Sequence, residues 1–551
     1  MFRLSARGAR RDRLAVLILL LIAGLWLRAA GSAWGFPLLA NADEPLVTAD
    51  AARLAFTGGW EPHVYDHPGH ASIYLHSLLY RGAAFVASPG GHDGMAFYHE
   101  HILGFQQLSR LLTALWSTAL IVVAFLIGRE FSERQAFWAA GLVTFFPSFV
   151  QHACYITADI PLTLFLALNA LFCIRYLKTG RRRHLGWAIA AAALALAEKY
   201  PGALATLTIG ACILGNPRLS PAEKRTTVVY AAALYLIAAF AAAPYLFLRF
   251  DRVLAAVAIE AKPVHLGADG LDAWGNLGFY FTQYARRAGV PLVIATGLGF
   301  LLLGRRGARA AWPLYGGLVY LAFISSLGLH WERWALPCFF FFLQAAACGV
   351  AWGLEAIRGR HPAVRGVVVA TLATTCLSLL LQSVYMTASF RLPDTRVAAL
   401  EFCRQRGLTP ENTAYESYTP FCPVLSTVRV GGARGPRDLL FSGKRYAVIS
   451  SYEWGRFMAE PRRYPAQTAS YRVLRSKRLV GIFDSVAIVG INHYELPPFP
   501  SQAVGELAAR LWQLTRGGAC SGPVIEIYDL GAPAKSPPRA AAVPRSRRSH
   551  R

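Results

Sequence analysis

Residues Leu39–His76 read LANADEPLVTADAARLAFTGGWEPHVYDHPGHASIYLH and follow the first apolar run, Leu14–Ala30. The stretch contains an acidic pair, Asp43 and Glu44, close to the point where a first membrane helix should end. It also contains four of the fourteen histidines of the chain: His63, His67, His70 and His76. Carboxylates at a membrane surface require an explanation from the rest of the chain.

The composition indicates a membrane protein. Of the 551 residues, 55% are hydrophobic and 16% are charged, whereas about 25% of the residues of a soluble globular protein are charged. The apolar residues come in runs of about 17–25, the length that a helix needs to cross a bilayer. We therefore predict a polytopic α-helical membrane protein with one soluble domain at its C-terminal end.

The apolar runs predict eleven membrane spans, with a long loop at residues 31–101. This loop is expected to hold two interfacial helices, Pro45–Phe56 and Ala71–Val86, the first of them capped by Asp43. The runs 185–198 and 202–215 are short, and together they could form either a helical hairpin or one broken helix. The predicted spans are 14–30, 103–127, 136–152, 160–177, 185–198, 202–215, 227–247, 290–303, 312–329, 334–354 and 366–388.

The net charge of +25 does not indicate nucleic-acid binding. The basic residues cluster in alternate loops between the predicted spans, as the positive-inside rule requires, and no nucleic-acid-binding motif stands out. The alternation predicts a cytoplasmic N-terminus. It also predicts that the loops 31–101 and 249–288 and the C-terminal domain lie on the outer face. The first apolar run is expected to stay as an uncleaved helix.

Residues 391–531 are predicted to form an extracytoplasmic α/β domain, separate from the membrane domain 1–390. An amphipathic helix, Thr395–Gly407, precedes three strand patterns. The strand patterns are Arg445–Ser451, Leu479–Phe483 and Val524–Leu530. One disulfide among Cys403, Cys422 and Cys520 is possible. Residues 532–551 are rich in Pro, Ala, Ser and Arg, and this composition predicts a disordered basic tail.

Three acidic residues are candidates for chemistry. Asp43 and Glu44 could simply be solvated at the interface, or one of them could face an outward cavity and act as a general base. Because adjacent carboxylates point in different directions, only one of the two is expected to face the reaction. Asp159 could cap the span that follows it, or it could be a further carboxylate at the same depth in the same cavity.

Two cationic residues at the outer ends of spans are candidates for phosphate binding. Lys199 could snorkel to the interface or pair with Glu198, and it could equally bind an anionic lipid headgroup. Arg333 lies at the outer rim, against the positive-inside trend, and a phosphate partner would explain it. Arg286 and Arg287 are similar in position, and we interpret them as interfacial anchors.

The histidines suggest a metal site only weakly. His63, His67 and His70 have the i, i+4, i+7 spacing of one helix face, but Pro68 and Gly69 argue against a helix there. We expect Tyr65, His67, His70 and Tyr200 to line a polar substrate pocket or to bond within the loop. Binding of a divalent cation by the carboxylates Asp43 and Glu44 and the histidines is kept as an alternative.

Taken together, the motifs resemble the GT-C fold glycosyltransferases that use a lipid-phosphate sugar donor. The resemblance is to the protein O-mannosyltransferase and aminoarabinose-transferase-like branch and covers about residues 14–390. One departure is that the usual Pro-Pro of the first loop is replaced by His67-Pro68-Gly69-His70. The motifs are Asp43-Glu44, Asp66–Gly69, Thr157–Leu162, Glu198–Pro201 and His330–Pro337.

The resemblance implies a bacterial inner-membrane enzyme that transfers one sugar, with inversion, from a polyprenyl-phosphate carrier to a hydroxyl of a lipid, glycan or protein. Asp43 would be the catalytic base and Asp159 an assisting acidic residue. Lys199 and Arg333 would contact the donor phosphate, and no metal would be obligatory. The departure in the first loop bears on the identities of the donor sugar and the acceptor rather than on the reaction class.

Two other functions remain as alternatives. A transporter or flippase of a lipid-linked or anionic substrate should carry ionisable residues in mid-membrane, whereas the charged motifs here lie at predicted outer ends of spans. A non-catalytic scaffold that acts through the C-terminal domain would leave the outer acidic residues unexplained. Of the three functions, the sequence favours sugar transfer on the outer face.

Overall fold

The computed structural model describes residues 6–66, 68–88, 91, 93–261, 268–305, 309–424, 435–487 and 504–531. His67 and the tail 532–551 lie outside these residues. The chain divides into two compact units. The first unit comprises Met1–Pro37, Asn41–Leu392 and Leu496–Ala519, and the second comprises Leu38–Ala40, Pro393–Glu495 and Cys520–Arg551.

The first unit opens with four helices: α1 (Ala6–Ala29), α2 (Glu44–Thr57), α3 (His70–Ala87) and α4 (Gly94–Glu100). The two helices predicted for the first loop are confirmed as α2 and α3. Asp43 occupies the position before α2, but its carboxylate makes no capping hydrogen bond. The predicted capping role is therefore wrong, because the carboxylate pairs with Arg333 instead.

Fourteen more α-helices follow in the described part of the membrane unit, and they account for the predicted apolar runs. They are α5 (Ile102–Arg129), α6 (Glu133–Thr144), α7 (Pro147–His152), α8 (Asp159–Thr179), α9 (Arg182–Glu198), α10 (Ala205–Leu214), α11 (Pro221–Ala242), α12 (Tyr245–Leu248), α13 (Phe250–Glu260), α14 (Ala273–Ala288), α15 (Val290–Arg305), α16 (Gly316–Ser325), α17 (Leu336–Ala356) and α18 (Pro362–Ser389). Short 3₁₀ helices occur at Tyr200–Leu204, Arg309–Tyr315 and Glu332–Ala335.

The helices of this unit are interrupted at several places, and proline or glycine accounts for the breaks described here. The run 136–152 is divided into α6 and α7, because Pro147 has no N–H with which to continue the helix. Between α9 and α10, Lys199 is extended and Pro201 lies in a 3₁₀ turn. The helices α14 and α15 meet at an angle of 116°. Gly289, between them, has a φ of +81°, which favours a residue without a Cβ.

By length and composition, five described helices could cross a membrane, or six if α14 and α15 count as one bent span. The five are Ile102–Arg129, Asp159–Thr179, Pro221–Ala242, Glu332–Ala356 and Pro362–Ser389. The predicted fold class, a helical membrane protein with a small C-terminal α/β domain, is confirmed. The number of eleven spans stays a prediction.

The helix α17 lies at the centre of the membrane unit, where every residue from Leu336 to Val350 is buried. It packs closely on α15 through two glycines. A Cβ on Gly299 would lie 1.8 Å from Ala345 O, and a Cβ on Gly349 would lie 2.1 Å from Ala295 O. Such close packing is typical of helix pairs in membranes. It fixes α17, and the 3₁₀ helix directly before α17 carries the candidate site residue Arg333.

The second unit contains α19 (Thr395–Gln405), α20 (Pro436–Leu440), α21 (Ser451–Ala459) and α22 (Pro465–Arg475) with a four-stranded sheet. The strands β1 (Thr413–Tyr415), β2 (Tyr446–Ser450), β3 (Arg478–Phe483) and β4 (Ile525–Asp529) have the order β1-β2-β4-β3. The strand β1 is parallel to β2, and β4 is antiparallel to both β2 and β3. The helix and the three strands predicted here are confirmed, and β1 was not predicted because it is only three residues long.

The division between the units differs from the predicted boundary at one segment. We predicted residues 391–531 as one domain, and within this range the described residues 504–519 belong to the first unit. Its helix α23 (Val504–Leu514) packs against α18.

All nine cysteines are free, so the possible disulfide in the second unit is not formed.

Candidate active site

Four charged residues from four separate places in the sequence form one continuous series of ion pairs, which we call the ion-pair chain. Lys199 Nζ lies 2.8 Å from Asp159 Oδ1. Arg333 Nε lies 3.9 Å from Asp159 Oδ2, and Arg333 Nη1 pairs with Asp43 Oδ2. The order is therefore Lys199, Asp159, Arg333, Asp43. Two cations and two carboxylates balance each other within a site that is mostly buried.

The ion-pair chain is open to solvent at one end. The side chain of Asp43 is 30% exposed, whereas that of Asp159 is 4% exposed and those of Arg333 and Lys199 are 9% and 12% exposed. Asp43 is thus the accessible carboxylate of the two. Asp159 is enclosed by both cations.

Each of the four residues lies where a helix begins, and a proline marks each place. Asp43 precedes α2, and Asp159 is the first residue of α8. Lys199 is in the extended link before a 3₁₀ turn, and Arg333 lies in the 3₁₀ helix before α17. Proline is favoured in the first turn of a helix because the missing N–H has no partner there. The prolines are Pro45, Pro161, Pro201 and Pro337.

Two roles that the sequence suggested for these residues are wrong: helix capping by Asp159 and pairing of Lys199 with Glu198. Asp159 makes no capping hydrogen bond to α8, because its carboxylate is taken by Lys199. Lys199 does not pair with its neighbour Glu198, because the Glu198 carboxylate accepts a hydrogen bond of 2.6 Å from Ser72 Oγ. The backbone carbonyl of Glu198 also accepts a hydrogen bond from Gly69 N. Glu198 therefore holds the start of α3 against the end of α9.

Glu44 is oriented away from the ion-pair chain and is fully buried. Arg110 Nε and Nη2 donate to its two oxygens at 2.9 Å and 2.7 Å. Gln106 Nε2 and the backbone N–H of Ile156 donate to the same carboxylate. These four donors leave little capacity for a proton from a substrate. The catalytic role predicted for Glu44 has no support in this geometry, and we assign Glu44 a positioning role.

Arg110 is a site residue that the sequence reasoning missed. It lies inside the predicted span 103–127 and is fully buried in α5. Because a charge inside a membrane span is costly and needs a partner, this position was a signal that could have been used. With Glu44, Arg110 ties α2 to α5 and thereby fixes the position of Asp43.

Arg287 was also misjudged from the sequence. Its side chain is 2% exposed, so it is not the interfacial anchor that we predicted. Arg287 Nε and Nη2 donate to Glu332 at 3.0 Å and 2.9 Å, and Ser148 Oγ donates to the same carboxylate at 2.9 Å. Glu332 directly precedes Arg333. This buried pair therefore fixes the 3₁₀ helix that carries Arg333 into the site.

The predicted pocket residues form a second group beside Lys199. Tyr200 Oη donates to the Tyr65 carbonyl at 2.6 Å, and one ring nitrogen of His70 lies 2.9 Å from the Val64 carbonyl. These bonds fold the first loop onto the link that follows α9. The contacts of His70 are thus within its own loop, which is the second of the two roles expected for it. No group of three His, Cys, Asp or Glu residues arranged to hold a metal occurs among the residues that the structure describes.

His70 is expected to make the stability of the first loop depend on pH. Burial lowers the pKa of His70 to about 4, although the hydrogen bond to Val64 and the nearby Asp50 carboxylate act in the opposite direction. The unfolded chain has a histidine pKa of about 6.5, so it binds more protons than the native chain between pH 6.5 and 4. Stability is therefore complete above about pH 6.5 and falls as the pH is lowered through this range, by about 3 kcal/mol at most for this group.

The measurement is thermal unfolding of the detergent-solubilised protein at pH 7.5 and pH 5. His70→Gln should reduce the difference between the two unfolding temperatures, since an amide does not titrate. His63→Gln is the matched control, because His63 is exposed in the same loop, and it should keep the wild-type difference. Equal pH dependence of all three proteins would contradict the assignment.

The sequence of residues 100–246 matches the family described as dolichyl-phosphate-mannose-protein mannosyltransferase. No curated protein sequence matches the chain significantly. The matched segment includes Asp159 and Lys199 of the ion-pair chain. The match confirms the predicted resemblance to GT-C fold glycosyltransferases of the protein O-mannosyltransferase type.

Among solved structures, the chain is similar to ArnT from Cupriavidus metallidurans, crystallised in the apo state and bound to undecaprenyl phosphate. The apo structure has 16% identity and a TM-score of 0.49, and the bound structure has 15% identity and a TM-score of 0.47. Each match covers 83% of this chain and 95% of that chain. A protein O-mannosyltransferase complex of S. cerevisiae bound to the sugar donor has 18% identity and a TM-score of 0.32, over 44% of this chain and 34% of that chain.

Proposed function

We propose that this protein is a membrane glycosyltransferase that moves one sugar, with inversion, from a polyprenyl-phosphate carrier to an acceptor hydroxyl. The observation that carries the proposal is the ion-pair chain, with an accessible carboxylate at one end and two cations behind it. The family match of residues 100–246 supports the same reaction class. The acceptor is a hydroxyl of a lipid, glycan or protein.

The chemistry of sugar transfer requires this set of groups. An acceptor hydroxyl has a very high pKa, so a base must take its proton as the oxygen attacks the anomeric carbon. The leaving group is a phosphate, which leaves as an anion and needs cations to stabilise its charge rather than an acid to protonate it. One displacement of this kind inverts the anomeric centre. A metal is not needed for either step.

The roles follow from exposure and contacts. Asp43 is the general base, because it is the carboxylate that an acceptor can approach. Lys199 and Arg333 bind the donor phosphate, and Asp159 positions both of them through its two oxygens. Arginine suits this place because its guanidinium can bind a phosphate oxygen while it keeps a carboxylate partner.

We further propose that the reaction takes place on the outer face of a bacterial inner membrane. The basic loops at the opposite ends of the predicted spans support this orientation. The lipid donor would reach the site from the outer leaflet, beside α2 and α3. Vesicles of one known orientation, supplied with donor and acceptor from outside, would test the sidedness.

The proposed reaction is tested by transfer from radiolabelled polyprenyl-phosphate sugars with the purified protein in liposomes. The expected result is a new covalent product together with free polyprenyl phosphate. A transporter or flippase would instead move the labelled lipid between leaflets without breaking its sugar–phosphate bond. Movement without a new product, for every donor sugar tried, would overturn the proposal.

Lys199→Met is expected to lower kcat/KM for the donor by about ten- to a hundredfold, since a hydrogen bond to a charged group contributes about 1.5–3 kcal/mol. The matched control is Lys178→Met. Lys178 is also an ion-paired lysine, but it contacts Glu130 near the C-terminal end of α8, whereas Asp159 of the ion-pair chain begins that helix. Steady-state kinetics over a range of donor concentrations give the comparison. Equal loss in both variants would remove Lys199 from the phosphate site.

A further inference from the structure

Buried polar atoms without hydrogen-bond partners collect around the ion-pair chain. Within the part of the chain that the structure describes, such atoms include Asn41 Nδ2, Thr157 Oγ1, Trp334 Nε1 and both ring nitrogens of His152. Asn41 and Thr157 lie two residues before Asp43 and Asp159, and Trp334 directly follows Arg333. Most buried polar groups in proteins are paired. A concentration of unpaired ones beside the carboxylates of Asp43 and Asp159 therefore indicates a place where a polar ligand binds.

His152 is the most informative of these residues. It is 4% exposed and is the last residue of α7. Its ring packs against that of Tyr155 in an edge-to-face contact, with centroids 5.8 Å apart. It lies close enough to Asp159, Arg333, Glu332 and Arg287 to interact electrostatically with all four. The ring is therefore held by packing on Tyr155 within electrostatic range of the ion-pair chain, and its two nitrogens have no hydrogen-bond partner among the residues that the structure describes.

The chemistry of these groups favours a hydroxyl ligand over a phosphate. A neutral imidazole offers one donor and one acceptor, and the Thr157 hydroxyl likewise donates and accepts. A sugar hydroxyl matches both properties. A phosphate ester at neutral pH offers acceptors, and Lys199 and Arg333 already supply donors for it. The unpaired atoms of His152 and Thr157 therefore complement the sugar and not the headgroup phosphate.

We propose that His152 and Thr157 bind hydroxyl groups of the transferred sugar and thereby set donor selectivity. This inference rests on the proposed function and deepens it, because it separates the sugar contacts from the phosphate contacts in the same site. His152 is the last residue of α7, and Thr157 lies in the segment that joins α7 to α8. Because Asp159 begins α8, the ends of these two helices fix the distance between the sugar contacts and Asp159.

The test compares two ligands that differ only in the sugar. Binding of polyprenyl phosphate and of a polyprenyl-phosphate sugar is measured on the full-length protein in detergent. The sugar is the best substrate of the wild type among mannose, glucose, galactose and arabinose. Thr157→Val and His152→Ala should each weaken binding of the sugar-bearing lipid by about three- to tenfold, as expected for one lost hydrogen bond. Both variants should bind the sugar-free lipid as the wild type does.

His76→Ala is the matched control. His76 is likewise a buried histidine, and its Nδ1 lies 2.7 Å from the Ser72 carbonyl. However, it packs between Tyr80 and Trp116 rather than beside the ion-pair chain. This variant should keep the wild-type ratio of the two affinities. A purely structural role of His152 would change both affinities together or neither.

The outcomes separate the two proposals. If the wild type binds neither lipid, the proposed function fails. If the wild type binds both lipids and Lys199→Met weakens both, but His152→Ala and Thr157→Val leave the ratio unchanged, the sugar contacts are refuted and the function stands. Should His152→Ala fail to fold, Thr157→Val decides the question, because valine has nearly the same shape as threonine.

Discussion

Asp43→Asn is expected to slow sugar transfer by about a hundredfold to ten-thousandfold, the usual contribution of a general base. Asparagine has the size of aspartate and can stay beside Arg333, but it cannot take a proton from the acceptor hydroxyl. Donor binding should change little, because Lys199 and Arg333 keep their places. The measurement is single-turnover transfer at saturating donor, together with the donor affinity of the same preparation.

Asp251→Asn is a suitable control for that experiment. Asp251 is also an aspartate paired with an arginine, Arg249, but its side chain is 72% exposed. Neither residue of this pair belongs to the ion-pair chain. It should transfer sugar at the wild-type rate. Full activity of Asp43→Asn with normal donor binding would show that another group takes the proton.

Glu44→Gln is expected to lower the free energy of unfolding by about 3–5 kcal/mol, the cost of breaking a buried ion pair by removing one partner. The glutamine would leave the Arg110 guanidinium buried beside a neutral amide. Arg110 and Glu44 have side chains that are 0% and 1% exposed, so water cannot replace the lost charge. Chemical denaturation in detergent, followed by tryptophan fluorescence, measures the change.

The contrast with an exposed pair sharpens this second prediction. Glu133 pairs with Arg13, and both side chains are about half exposed, so Glu133→Gln should change stability by no more than about 1 kcal/mol. Molecules of Glu44→Gln that remain folded should still transfer sugar. If this variant is as stable as the wild type but inactive, Glu44 takes part in the reaction and the positioning role is wrong.

These two predictions assign opposite roles to neighbouring residues, which the sequence could not do. Successive residues of a helix point about 100° apart, so the motif Asp43-Glu44 implied only that one of the two faces the reaction. Their partners decide which one. Arg110 is 66 residues from Glu44, and Arg333 is 290 residues from Asp43. Contacts at such separations depend on how the helices pack, and no local pattern records them.

The partners of Asp159 and Lys199 were likewise decided by the packing of the helices and not by the local sequence. From the sequence, Asp159 could have been a helix cap and Lys199 could have paired with Glu198. In the structure, Asp159 and Lys199 meet each other across 40 residues. A capping signal and an ion pair both place a charged residue near a helix end, so the local sequence is the same in the two cases.

The sequence by itself determined the helical membrane fold, the positions of α2 and α3, most strands of the C-terminal unit and the family resemblance. It could do so because apolar length, proline at helix starts and alternating hydrophobicity are local properties of the chain. Only the tertiary structure decided that Asp43 is exposed while Glu44 is enclosed, and that Asp159 joins Lys199 to Arg333. Those outcomes depend on burial and on distances between remote residues, and these exist only once the helices have packed.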